Sequence, residues 1–393
     1  MKTTAIDLTQ GSITGTMLRF AIPMIAGNLL QQVYNLADTL IVGHFLGVQA
    51  LAAVGGATGS LINFFVNLFV GLASGTTVVI AQAYGAHDAE SVGGTVHTSV
   101  ALALAAGLGL TAVGVAAAPW ALSAMGTPAD IMDFALIYLR VYMLGTIPSF
   151  LYNVGSGILR AVGDTRRPLY FLIIACLVNI ALDVVLVAVL GMGVLGAALA
   201  TILSQGVSAV LVLVSLTRAE TVYRLDWKQV RFHGRLLGDI LRVGVPNGLE
   251  NGMFQVGKVL VSSLIAMFGT TAITANAIAN NLASFECIPG NALGLAMITV
   301  IGRCVGAGDY EQAKYYAKKL MKLTYIFMAG IGVLLMALCV PITWLYNPSQ
   351  ETFDLAIWLG IYHSLCAMAI WPAAFALPNI LRASGDVRFT MLT

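Results

Sequence analysis

The chain alternates long apolar runs with short polar turns. Ten runs, at about 14–43, 51–83, 92–118, 129–160, 168–190, 194–217, 241–268, 271–303, 312–345 and 352–382, each reach the ~20 residues a helix needs to cross a bilayer. Several exceed that minimum, which predicts tilt or kinks. Pro23, Pro148, Pro246, Pro289 and Pro372 lie inside or near them, and each frees a backbone carbonyl that neighbours or water must satisfy again. The first run also carries a polar stripe. Asn28, Gln31, Asn35 and Asp38 step by three, four and three positions and share one helical face, flanked by Ile25, Leu29, Val33 and Leu36. A lone Asn or Gln in such a run serves helix packing. A stripe that ends in a carboxylate is costly in hydrocarbon unless it faces a cavity or a partner, so Asp38 is read as part of an ion or proton site.

Composition agrees with the pattern. Of 393 residues, 59 % are hydrophobic and 10 % charged, against about 25 % charged in soluble domains. The sequence predicts an all-α polytopic membrane protein, and its net charge of +2 gives no reason to expect nucleic acid. The run at 14–43 is too long for a cleaved signal peptide. Cys176, Cys287, Cys304, Cys339 and Cys366 are odd in number and dispersed, which fits packing better than disulfides or a metal.

Basic residues mark alternate turns. They collect at Lys2 and Arg19, Arg160 to Arg167, Arg218 to Arg242, Arg303 to Lys322, and Arg382 and Arg388; the intervening turns hold no Lys or Arg. The positive-inside rule therefore puts the N-terminus and every second loop in the cytoplasm. Outside these clusters, which overlap the ends of runs, only Arg140 and Lys258 remain, and both fall inside runs.

An internal repeat is visible. ILRAVGD at 158–164 returns as ILRASGD at 380–386, GAHDAE at 85–90 as GAGDYE at 306–311, and Pro23, Asn28 and Gln32 as Pro246, Asn251 and Gln255. The offsets of 221 to 223 predict two parallel copies of a six-helix unit: 1–217, a cytoplasmic linker at 218–240, and an incomplete copy of four helices at 241–393. The counterparts of the fifth and sixth helices would begin near residue 390, so the repeat arithmetic predicts two further helices in a protein of roughly 440 residues.

Other residues add to the first copy's chemistry. Asn179 and Asp183 lie four apart on one face, and the next run offers Thr201, Ser204 and Gln205. A second buried carboxylate near Asp38 would suit Na⁺, which takes oxygen ligands, or would hold a proton. In the second copy Val261 stands where the repeat would place Asp38. The remaining cleft candidates are Glu250, Gln255, Lys258 and Glu286, with Glu250 open to simple solvation near the cytoplasmic end. Lys258 could neutralise Glu286 across helices, as a structural pair or a substrate contact. GMFQVGKV at 252–259 lacks the Ser/Thr of a phosphate loop, the scattered histidines fit surfaces or interfaces, and Gly71/Gly75 is a helix-packing pair. Nothing supports an enzyme.

The stretches IPMIAGNLLQQVYNLADTLIVGHFLG at 22–47 and GILRAVGDTRRP at 157–168, with Asn179 and Asp183, resemble the MATE (multidrug and toxic compound extrusion) family, in its DinF-like bacterial branch. The resemblance implies two six-helix lobes in a V around a central cleft and alternating access. It implies that Asp38, Asn179, Asp183 and Thr201 are the cation or proton site, with Asp38 and Asp183 as ligands if the ion is Na⁺. Pro23 would be a kink that responds to protonation. The expected activity is antiport of amphipathic, often cationic, organic compounds against H⁺ or Na⁺, by a monomer in a bacterial-type inner (plasma) membrane, with no cofactor beyond the coupling ion. The alternatives are a flippase for lipid-linked oligosaccharides or lipid II, which should line its cleft with more basic residues, and a receptor or scaffold, which needs no buried acid pair.

Overall fold

A computed structural model describes residues 13–346, 348–387 and 390; Lys2 and Arg388 lie outside them. Helix α1 (Ile13–Gly55) bends at Gly47, whose backbone (φ 81, ψ −177) is essentially reserved for glycine. It runs on through the turn expected at 44–50. There follow α2 (Ala57–Gly85), α3 (Ala89–Ala124), α4 (Met132–Leu144) and α5 (Thr146–Ala161). The single run expected at 129–160 is thus two helices bent by 45°. Pro148 cannot donate to the Leu144 carbonyl, and Gly145 takes up the turn. Next come α6 (Arg166–Asp183), which passes into a π-helical segment (Val184–Val189), and α7 (Gly193–Thr217). The second half holds α8 (Gly234–Ala266), α9 (Thr270–Gly306), α10 (Tyr310–Leu345) and α11 (Gln350–Trp371). A π segment (Pro372–Ala376) leads from α11 into α12 (Leu377–Ser384). Pro23, Pro246 and Pro289 sit within continuous helices.

No strand occurs among the described residues, so every layer is helix on helix. Among the described residues seven helical spans are long and apolar enough to cross a membrane, and α4 with α5 would make an eighth. The first and seventh of the ten expected runs, in α1 and α8, fall below that mark. Asn28 to Asp38 interrupt one and Asn247, Glu250, Asn251, Gln255 and Lys258 the other. The polarity that makes these helices interesting is what lowers their hydropathy.

Backbone features recur at the repeat's offset. Gly47 and Gly269 (φ 90, ψ −179), His87 (φ 58) and Gly308 (φ 74), and Gly163 (φ 88) and Gly385 (φ 95) share unusual conformations. Asp88 caps α3 by accepting from the Ser91 amide, and Asp309 caps α10 by accepting from that of Gln312. The Ser91 hydrogen bonds hold the Asp88 carboxyl below the usual carboxylate range.

The halves meet through glycine. A Cβ on Gly71 of α2 would fall 2.3 Å from the Gly248 Cα of α8, and one on Gly75 would fall 2.4 Å from the Ile240 carbonyl oxygen. The pair expected to pack helices does so, and only a missing side chain lets the backbones approach this closely. Towards the basic loops two side chains hydrogen-bond across the halves. Gln82 Nε2 donates to the Ala383 carbonyl (2.8 Å), and Arg303 donates through Nε and Nη2 to that of Ala161 (3.0 and 2.9 Å) while lying over the Tyr84 ring. Residues 82 and 303, and 161 and 383, are repeat mates. Both acceptors lie at helix C-termini, where carbonyls lack intrahelical partners. Beyond Gly252 the helices part: Met253, Leu260, Val261 and Leu264 of α8 are exposed. Phe20 and Met24, early in α1, pack into the core of the second half. The linker after α7 docks on α3, where the Asp226 amide donates to His97 Nε2 (3.0 Å) and His233 Nδ1 lies 2.9 Å from Thr98 Oγ1.

Candidate functional site: an acid pair and a cleft

Tyr34 and Asp38, four residues apart on α1, face α4, α6 and α7. Asn179 and Asp183 of α6 are fully buried. Asp183 stands where α6 widens into its π segment, a local distortion frequent at functional sites. The carboxyls of Asp38 and Asp183 approach within hydrogen-bonding reach of each other. As two carboxylates both can only accept, and neither finds a donor. Among the described residues, Asp38 Oδ1, both Asp183 oxygens and both polar atoms of the Asn179 amide are enclosed without a hydrogen-bond partner. Thr201, buried on α7, donates to the Ala197 carbonyl (3.0 Å), and the phenols of Tyr34 and Tyr138 reach it. All four residues expected at the ion site are therefore brought together. Five unmatched polar atoms in one buried place carry a large desolvation cost. A proton between the acids, or a small hard cation among these oxygens, removes it.

The second feature is a cavity of about 580 Å³ between the halves. Asn28, Gln31 and Asn35 line it from α1, as the stripe predicts, and Glu250 faces them from α8. Glu250 is ion-paired with Arg382 of α12 while its side chain stays about one third exposed (33 %), so pairing and solvent share in accommodating it. Arg382, counted from sequence among the loop cations, is buried; its Nη1 donates to Asn379 Oδ1 (2.9 Å) and its Nε has no acceptor.

Three expected cleft residues stand elsewhere. Gln255 does not line the cavity, and Lys258 lies 5.1 Å over the Phe254 ring. Glu286, buried between α9 and α11, accepts from Ser364 Oγ (3.0 Å) and meets His363 Nδ1 (3.1 Å). The titratable side chain that meets it is His363, on the neighbouring helix and 77 positions away in sequence, instead of Lys258. Sequence reasoning also missed Tyr34, Tyr138 and Tyr142 around the acids. Tyr34 was legible as the residue four before Asp38; the other two come from α4, whose register to α1 only packing sets.

A polar cleft between two helical halves, beside a buried acid pair, defines a multi-pass membrane transporter. The MatE family model matches residues 23–185 and 246–393, and the chain belongs to that family. It is 29 % identical over 390 residues to the probable multidrug resistance protein YoeA of Bacillus subtilis, covering 96 % of this chain and 82 % of that protein. The DNA damage-inducible protein F of Escherichia coli is 28 % identical over 296 residues, 74 % of this chain and 64 % of its own length. A solved multidrug resistance MATE family transporter in an outward-facing conformation superposes with a TM-score of 0.91 at 25 % identity, over all of this chain and 87 % of that one. The family's members are multidrug efflux transporters, not enzymes.

Proposed function

We propose that the protein is a cation-coupled antiporter that exports organic compounds by alternating access, with Asp38, Asn179, Asp183 and Thr201 holding the coupling ion, H⁺ or Na⁺. The observation that carries this is the set of five enclosed, unpartnered polar atoms on Asp38, Asn179 and Asp183. Ten membrane spans in two parallel copies fit the duplicated backbone features and the two separate family matches. The basic loops then mark the cytoplasmic face of an inner membrane. Each chain holds its own cleft and acid pair, so a monomer suffices. Coupling follows from differential affinity: an ion that binds one state better shifts the equilibrium towards it, and one that binds both equally shifts nothing. The acid pair lies on α1 and α6, and α1 also lines the cleft and touches the second half, so one helix senses both occupants. Arg382 is balanced by Glu250, so the cleft offers no surplus positive charge to a pyrophosphate-linked lipid.

The test is efflux of a dye from proteoliposomes with the Na⁺ and proton gradients collapsed separately. One collapse should stop export, and Asp38→Asn should stop it under both gradients while the protein still inserts. Gradient-driven export retained by that variant would overturn the reading.

A further inference from the structure

The cleft's walls specify a kind of substrate. Nine carboxamide side chains face the cavity, together with Ser74 and Ser284, and its charges are Glu250 and Arg382, paired to each other. Phe254 and Phe375, edge to face at 5.4 Å, supply its aromatic corner. A lipophilic cation wants the opposite: an uncompensated carboxylate, a ring of aromatics and few amides, because every amide it covers without bonding loses water for nothing.

We infer that this cleft binds a zwitterionic, hydrogen-bonding organic molecule with an aromatic or apolar part, its cationic group on Glu250 and its anionic group on Arg382. The inference rests on the export reading above and names the class of compound exported. Two unmatched atoms point to it. Arg382 is 6 % exposed, yet its Nε–H has no acceptor, and the buried Asn247 Oδ1 has no donor although its Nδ2 donates to Ser74 Oγ. A carboxylate bound side-on to the guanidinium takes the free Nε–H. An ammonium can take the Glu250 oxygen that Arg382 leaves unused, since Nη2 bonds Oε2 alone. A ligand carrying both charges keeps the wall neutral. One carrying a single charge leaves either Glu250 or the buried Arg382 without its counter-charge, which is costly.

The experiment measures binding calorimetrically to the full chain in nanodiscs, without ion gradients, using three probes of one size. They are the dipeptide Phe-Phe as zwitterion, its C-terminal amide as cation and its N-acetyl form as anion. The zwitterion should bind at least about tenfold tighter than either, the worth of one charge-assisted hydrogen bond. Arg382→Gln should abolish its advantage over the amide, and Glu250→Gln its advantage over the N-acetyl form. An amide that binds as tightly as the zwitterion overturns the inference, as do equal affinities, binding by none of the three, or variants that weaken all three alike. The wild-type comparison decides the matter even where a variant fails to fold. Because no gradient is applied, a zwitterion preference with transport indifferent to ion gradients sinks the antiport reading and leaves this one standing; the reverse pair of results does the opposite.

Discussion

Replacing Gly71 by Ala tests whether the glycine seam holds one end of the transporter shut. The new Cβ would lie 2.3 Å from the Gly248 Cα and 2.4 Å from its nitrogen, both backbone atoms that no rotamer can move. Carbon atoms rest at about 3.5–4.0 Å, so α2 and α8 must separate by more than ~1 Å. Overpacking of this kind costs about 1–3 kcal/mol, whereas Ala favours the helix itself by ~1 kcal/mol over Gly. The second gain is common to every state, and the first penalty falls only on the state in which the two helices touch. The ratio of closed to open at the basic end should therefore fall by about 5- to 150-fold. Spin labels at Glu90 and Glu311, exposed repeat mates on the two halves, report that distance by double electron–electron resonance. Gly71→Ala should move population to longer distances and lower turnover. Gly257→Ala, on α8 with nothing within 4 Å of its Cβ, should do neither. A Gly71→Ala distribution matching wild type refutes the reasoning.

Three further outcomes follow from the same geometry. Removing one charge from the acid pair relieves mutual repulsion, so Asp183→Asn should melt higher than wild type at alkaline pH without Na⁺. On the proposed shared site, the wild type should lose stability as pH rises unless Na⁺ is present; identical melting profiles for the two would argue against a shared site. His363 Nδ1 meets the buried Glu286 carboxyl, so His363→Phe should destabilise by about 1–3 kcal/mol, the half-exposed imidazole keeping the figure modest. Glu286→Gln added to it should recover most of that, and additive losses in thermal melts would contradict the pairing. Arg303→Gln removes two charge-assisted bonds to the Ala161 carbonyl, at about 1.5–3 kcal/mol. Its label distances should lengthen as in Gly71→Ala, and an unchanged distribution would show that the crossing bonds do not help close the basic end.

The chain by itself settled a good deal. Apolar runs long enough for a bilayer leave helices as the economical way to satisfy backbone groups, so fold class and most helix positions follow from spacing alone. The stripe from Asn28 to Asp38 and the i, i+4 pair of Asn179 and Asp183 were legible because helical periodicity maps sequence spacing onto faces. That same logic put the glycines of α2 on a packing face. What it cannot reach is the azimuth of one helix against another. Only the packed bundle decided that Asp38 meets Asp183 across 145 positions, that Glu250 turns to Arg382, and that Glu286 takes His363 in place of Lys258. Each of these partners was visible as a charged or titratable residue. The pairing was not, because it depends on how far the backbones approach and how each helix is turned in the bundle.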